Sequence, residues 1–587
     1  MGTEPRQYEF SGYRMDVVSR ELFGPAGAAI PLTSKALDVL AYLIQQRDRV
    51  VDKNDLLATV WSGRVVEENN LTQAISALRK AFGTRPLEHR FIVTFSGRGY
   101  RFVAAVREIV AAAEAANRGV AQTSLAVLPF RSLSAAARDE WLELGLAETL
   151  ITRLSQIRQL RVRSLASSEH LEQSVLQDPD AAGRELGAAY VIDGSAQRVD
   201  GHVRVNVRLL SVGNGQIIWA DTLDTRVEDV FTLQDRISGG VVSALALPPA
   251  VALERRRKPR DKGSHQAYRA WLQGYHLLQR PDAANLGKAL AAFRQAIDLD
   301  ATSSRAYAGM ALAYRGLVHL DHEPDEMFPL AKAAVAQALK FDPDSPEALL
   351  AQGRIQNLYD WNWTGAEASL QRALELNPSL MEAHLAYAHL LIHQGRFDEG
   401  LDEARQAREL DPLSPMVNAL YAGFFTAAGQ PEAALKQVRR ALELNPGFWI
   451  ALQIRGGMAL DRGDTQAAIA DFAVAVDDSH RASQILALQA IAHAAAGNRT
   501  LPQAILRELE ARRADRYVPA TSLAAVHIAL DDTDAAQDEL ERAYREHDIR
   551  MAFMKVDARW NVLRSQPRFQ ALARRMDLEG DRGYSRL

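Results

Sequence analysis

A period close to 34 residues in the C-terminal half constrains this chain more than any other feature. The segments AIDLDA, ALKFDP, ALELNP, ARELDP, ALELNP and AVAVDD begin at Ala296, Ala338, Ala373, Ala407, Ala441 and Ala473, in steps of 42, 35, 34, 34 and 32 residues. Gly395, Gly429 and Gly463 recur at the same 34-residue step, and Pro378, Pro412 and Pro446 mark the passage to the next unit. A unit of helix, turn, helix and proline carries apolar residues on more than one face. A single pair cannot bury them, so neighbours must stack into a solenoid. The period gives about eight helix pairs between His265 and Met576, with weaker ones at 483–512 and 519–547. The extra residues behind the 42-residue step are placed at HEPDEMFP (322–329), where two prolines should block helix.

This pattern resembles the tetratricopeptide repeat. The resemblance implies an all-α superhelix whose inner groove takes a protein or peptide partner. A purely structural array is the alternative.

The rest of the 587-residue chain is too long for a single additional core. Cysteine is absent, which removes disulfides, thiolate metal sites and cysteine nucleophiles together. The N-terminus, MGTEPRQYEF, lacks an apolar leader core, and no run of about 18 apolar residues occurs. The expected location is the cytoplasm, with no membrane partner. Residues 1–105 hold 14 Lys and Arg against 11 Asp and Glu, a net of +3 that leaves −7 for the remainder of a −4 chain. A basic head on an acidic body is compatible with DNA.

The head reads as short extended pieces over 8–32, broken by Ser11-Gly12 and Gly24-Pro25, followed by three helices. Thr33 caps the first, with Leu37, Leu40, Leu43 and Ile44 inside; Asp52 caps the second, with Leu56, Leu57 and Val60 inside. The third, Glu67–Phe82, has the buried stripe Leu71, Ile75, Leu78 and Phe82. Its opposite face collects Asn69, Gln73, Ser76, Ala77 and Lys80, flanked by Asn70, Thr72 and Arg79. Asn and Gln can read adenine edges in a major groove, while Thr, Arg and Lys can reach phosphates. FIVTFSGRGYRFV (91–103) follows, two alternating runs around Gly97-Arg98-Gly99, a hairpin with a basic tip.

In that order, LTSKALDVLAYLI, RVVDKNDLLATVW, LRKAF and GRGYRF resemble the OmpR/PhoB-type winged helix over residues 8–105. The resemblance implies that Glu67–Phe82 is the recognition helix, that Arg98 reaches the adjacent minor groove or its phosphates, and that Trp61–Val66 lies beside the DNA backbone. The candidate DNA contacts are therefore Asn69, Asn70, Thr72, Gln73, Ser76, Arg79, Lys80, Arg98, Tyr100 and Arg101. The reading face carries few arginines, with Ser76 and Ala77 where relatives often have longer side chains.

Between head and repeats, 106–123 reads as a linker. From Ser124 the pattern runs strand, helix (Leu142, Leu146, Leu150, Leu154), strand, helix, then three alternating segments around Asp200-Gly201 and Gly213-Asn214-Gly215, and a closing helix near Leu247. AVLPF, ELGLAETLITRLS, YVIDGS, VRVNVRLL and IIWAD resemble the α/β module that joins signalling heads to tetratricopeptide repeats in some class III adenylyl cyclases and CadC-like regulators. In the cyclases a catalytic domain stands where the winged helix stands here.

No Walker A, HExxH, GxSxG or EF-hand spacing occurs. His389 and His393 share a helix face but lack an evident third ligand, so no metal or cofactor is expected. ERRRKPRDKG (254–263) reads as a solvated linker. The fold expected is thus multidomain: an α+β winged helix-turn-helix (1–105), a linker (106–123), a small α/β domain (124–248), a basic linker (249–264) and an all-α tetratricopeptide solenoid (265–578). The function expected is a non-enzymatic, one-component transcription regulator binding double-stranded DNA as a homo-oligomer. The alternative is a repeat scaffold whose winged helix mediates protein contacts.

Overall fold

The computed structural model describes residues 7–578 except 11–12, 17–20, 25–28, 31, 48, 61–67, 83–89, 96–97, 105, 110–121, 134–139, 200–201, 227–229, 248–264 and 280–281. The expected turns at Ser11-Gly12 and Asp200-Gly201, Pro25 and Gly97 of two other expected turns, the Trp61–Val66 segment and the basic linker lie outside the described residues. The chain divides into two compact units, 1–121 and 122–587.

In the first unit, β1 (Gln7–Phe10), β2 (Tyr13–Asp16), β3 (Glu21–Phe23) and β4 (Ala29–Ile30) form an antiparallel meander. Three helices follow: α1 (Ser34–Gln45), α2 (Lys53–Val60) and α3 (Glu68–Ala81). Thr33 Oγ1 accepts the Ala36 amide at 3.3 Å and Asp52 Oδ1 the Asn54 amide at 2.8 Å, so both expected caps are in place. Phe10, Leu40, Leu71, Leu78, Phe91 and Phe102 meet in one core. A second sheet, ordered β5 (Val51–Asp52), β7 (Gly99–Phe102), β6 (Ile92–Phe95), carries the hairpin. The strand β8 (Arg107–Ile109) corrects the expected linker boundary. It pairs with β1, Glu9 opposite Arg107, and so belongs to the head rather than to a linker starting at 106.

The second unit begins with the expected α/β module. β9 (Thr123–Val127), β10 (Arg131–Ser132), α4 (Glu140–Leu154), β11 (Leu160–Val162), α5 (Leu165–Glu169), α6 (Gln173–Leu176) and α7 (Pro179–Glu185) lead into the long antiparallel strands β12 (Tyr190–Val199), β13 (His202–Ser211) and β14 (Ile217–Arg226), then α8 (Val230–Ala244). The sheet order is β11-β9-β12-β13-β14, with β10 also on β12. Left-handed Gly213 and Gly215 close the β13–β14 turn as expected, whereas β10, α5 and α6 were too short to leave a periodic signal.

Among the described residues eight helix pairs follow, from His265–Leu278 and Ala283–Leu299 to Ala520–Ala529 and Thr533–Arg545, with a terminal helix at Pro567–Arg575. Ala296, Ala338, Ala373, Ala407 and Ala441 are fully buried where second helices meet their neighbours. The apparent 32-residue step is a phase error: Ala473 is exposed, and the equivalent buried alanine is Ala475, which restores 34. The 42-residue step is also corrected. Pro324 starts a continuous 18-residue helix, Pro324–Phe341, and Pro329 lies inside it. Pro324 is tolerated at the first position because the amides of a first turn lack intrahelical partners anyway, whereas Pro329, the sixth residue, gives up one bond of the helix. The extra length is spread instead between Ser304–Val318 (15 residues against 13 in Met381–His393), a longer turn, and Pro324–Phe341 (18 against 14 in Phe397–Leu410).

The inner face of the array is occupied by its own chain. After the eighth pair, two short 3-10 turns, Ile549–Phe553 and Ala558–Leu563, pack on first helices of the repeats, the helices that line the concave side of such a superhelix. Phe553 lies 4.2 Å from the His393 ring, Lys555 Nζ donates to Gln394 O at 3.2 Å, and Val556 joins Leu385, Val417 and Phe424 in one cluster. A partner in that groove must displace this arm. The array also closes on itself: Trp363 Nε1 donates to Met576 O at 2.9 Å, Trp361 stacks on Tyr544, and Ser483 Oγ donates to Asp321 Oδ2 at 2.6 Å.

The module is packed on the array rather than tethered beside it. Ser164 N donates to Leu410 O, Val162 N to Ser379 Oγ, and the buried Ser167 hydroxyl to Asp411. Leu413 enters a cluster with Ala126, Leu171, Leu186 and Val191. Burial raises the Asp411 carboxyl above the ordinary range, opposed by hydrogen bonds from Ser167 and Ser164. Among the described residues no helix is long and apolar enough to cross a membrane.

Candidate nucleic-acid interface

The exposed polar face of the head is built by α3. Its buried stripe, Leu71, Ile75 and Leu78 with Phe82 just beyond, is almost fully withdrawn from water and sets the rotation of the helix. That rotation leaves Asn70, Thr72, Gln73, Ser76 and Lys80 exposed. Asn69 is on the same helix, its side chain outside the described residues. An α-helix fits the roughly 12 Å major groove of B-form DNA, and this row is made of the side-chain types that read base edges and hold phosphates.

Arg79 is placed differently. Its NH2 donates to Ile92 O at 3.0 Å and to Thr94 Oγ1 at 2.8 Å, which braces the C-terminal turn of α3 against β6. Lys80 remains exposed at the same end, where a cation also suits the helix dipole.

The hairpin supplies the second half. In the register Val93–Arg101, Thr94–Tyr100, Phe95–Gly99, the turn closes with Arg98 N donating to Phe95 O at 2.9 Å, and the Arg98 side chain is exposed at the tip. Gly99 is required by space, since a Cβ there would lie 1.9 Å from Val51 O across the β5–β7 pairing. Tyr100 is not on the surface. It faces the core at 6% exposure, because alternation along β7 turns Tyr100 and Phe102 inward. Arg101 points outward but is half-buried, its Nε donating to Arg47 O at 3.0 Å. Of the ten candidates, the fold gathers Asn70, Thr72, Gln73, Ser76, Lys80 and Arg98 as exposed groups and commits Arg79, Tyr100 and Arg101 to holding helix and hairpin together. Sequence reasoning passed over Arg90 and Thr94, both exposed beside this brace, Arg90 with its guanidinium 5.5 Å from the Phe91 ring. Arg90 precedes the alternating run that holds Thr94, and only the fold brings both beside the end of α3.

Elsewhere, His389 and His393 face the closing arm, with His393 Nδ1 3.1 Å from Asn357 Oδ1. Among the described residues no three His, Asp or Glu side chains converge as a metal site.

Comparison with known proteins divides the chain along the same lines. Residues 27–102 match the C-terminal domain of transcriptional regulatory proteins, 121–239 the second domain of HilA/YgeH-like transcriptional regulators, and 362–424 and 425–484 the tetratricopeptide repeat. A transcriptional regulator HilA from Salmonella typhi is 23% identical over 374 residues, 63% of this chain and 65% of the relative. A putative adenylate cyclase 3 from Rhizobium meliloti is 28% identical over 201 residues, 34% of each chain. The solved DNA-binding domain of Escherichia coli CadC matches at 22% identity and a TM-score of 0.17, over 18% of this chain and all of that one. The chain thus spans about a third and about two thirds of these curated relatives. It joins an OmpR/PhoB-type winged helix, a HilA-like second domain and tetratricopeptide repeats.

Proposed function

We propose that this protein is a one-component, non-enzymatic transcription regulator that acts on promoter DNA in the cytoplasm. The observation that carries the reading is the coincidence, within 27–102, of a transcriptional-regulator domain match with an exposed row of base-reading side chains on α3. Asn69, Asn70, Gln73 and Ser76 face base edges in the major groove, Thr72 and Lys80 contact phosphates, and Arg98 reaches the neighbouring minor groove or its phosphates. Arg79 and Arg101 serve by fixing helix and hairpin in one geometry, and Tyr100 by filling the core beneath them.

A single small head with one lysine at the end of its exposed helical row binds weakly at physiological salt, so two heads act together on half-sites about one helical turn apart. The module and array, packed as one body, supply pairing and partner contacts. Binding-site selection with the full chain, followed by a salt titration, tests the reading. A preferred double site is expected, with log K falling linearly in log salt. Equal affinity for unrelated sequences, or for a lone half-site and a double site, would overturn the sequence-reading or the paired-head part respectively.

A further inference from the structure

The inner face of repeats two to four carries charges that the fold covers in part and does not match. Arg315 and His319 sit four residues apart at the C-terminal end of the helix Ser304–Val318 and so share a face. Arg354 comes from the next first helix, Pro346–Leu358, and Glu382 and His389 from the one after, Met381–His393. In an open superhelix these groups would face bulk water. Here the arm around Ile549–Phe553 packs over the same helices and leaves Arg315, Arg354, Glu382 and His389 half-buried and His319 exposed, so the groups line a partly covered polar surface.

The hydrogen bonding of the two arginines is incomplete. Arg315 Nε is buried and has no hydrogen-bond partner, and no carboxylate in the described residues lies within ion-pair distance of its guanidinium. Its charged neighbour is another cation, Arg354. Arg354 donates NH2 to the backbone oxygen of Glu382 at 3.1 Å, and its own Nε is buried without a partner. Glu382, beside Arg354, has its carboxyl raised above the ordinary range by burial, against the pull of Arg354. Arg550, also close, is already matched by Asp548. His319, exposed at the end of the same helix face, adds an imidazole that can donate an N–H.

Two half-buried guanidinium groups, each with a buried Nε that donates to nothing, are costly by themselves, and an oxyanion is the group whose geometry relieves both the charge and the donors. We propose that the inner face of repeats two to four is a binding site for a small oxyanion-bearing molecule, a phosphate or a carboxylate, held by Arg315 and Arg354 with the His319 imidazole beside them. The arm limits the occupant to a small molecule, since a polymer would have to displace it.

The test uses the full chain in chloride buffer, with inorganic phosphate or succinate added at matched ionic strength and thermal unfolding as the readout. At least one of the two anions is expected to raise Tm saturably where chloride does not, and which one does so separates the two sources. Arg315→Gln should abolish the rise or weaken half-saturation by about tenfold or more, yet leave Tm in chloride unchanged or higher. Arg354→Gln gives an independent loss of the response should the first variant fold poorly. The proposal is overturned if neither anion acts saturably, if both variants respond as the parent does, or if both lower Tm equally with and without anion. DNA binding does not enter this readout, so its outcome and that of the promoter-binding reading remain separable.

Discussion

The head and the repeat array use amphipathic helices of similar length to opposite ends. In the head, α3 buries one stripe in a single small core and keeps the opposite polar face exposed. In the array, each first helix is covered by its own pair, its neighbours and, over much of the inner face, by the arm near 549–563. A helix alone on its outer side presents side chains to a partner. A helix packed on several sides has to find partners within the chain, and the buried Arg315 Nε is an atom that finds none. The comparison also separates what each region depends on: the head on close local packing, the array on contacts between residues more than 200 apart, such as Trp363 with Met576.

Removing a long-range contact should therefore have the largest effect. Trp560 is 1% exposed in the arm's core, and Trp560→Ala is expected to cost the second unit about 3–5 kcal/mol while the head keeps its stability. Hydrogen exchange resolved along the chain checks this; faster exchange in α1–α3 as well would break the proposed independence. Gly99→Ala inverts the experiment. Its Cβ would meet Val51 O, so the head should lose about 3 kcal/mol or more, with DNA affinity falling and the array's exchange unchanged.

Smaller changes sharpen the contrast between exposed and enclosed faces. Gln73→Ala leaves the fold untouched and should cost about 1–3 kcal/mol on the preferred DNA site, relaxing choice at one or two base pairs. Arg98→Ala should weaken all sequences alike and lower the salt slope by about one charge's worth. An unaltered selection profile for the first, or an unaltered slope for the second, removes that residue from the interface. The smallest effect is expected at Gly429, where φ is +70° but no atom lies within 4 Å of the place a methyl group would take. Gly429→Ala should cost about 1 kcal/mol of array stability through backbone strain alone. A loss as large as that at Gly99 would show that space, not φ, decides there too.

Much of this architecture was legible because local spacing carries it. The caps Thr33 and Asp52, the stripe of α3, the hairpin and the eight helix pairs all follow from short-range periodicity and turn chemistry. The glycine signal of the repeats faded at both ends for an equally local reason. Left-handed residues recur at 361, 395, 429, 463, 497 and 531, but the first is Trp361 and the last Asp531, so counting glycines undercounts the turns. Asp411 and Leu413 read as ordinary repeat residues until the α/β module was seen to dock on them.

What the sequence determined by itself was the kind of each region and the face each helix turns to its nearest neighbour, because both depend on side chains within a few residues. Only the tertiary structure decided which candidate contacts stay exposed. Alternation along β7 withdraws Tyr100, and pairing across the sheet and helix takes up Arg79 and Arg101. It also decided that the groove is filled. Superhelical curvature accumulates over eight repeats before the chain returns to meet its own inner face, and no window of sequence is long enough to encode where that return falls.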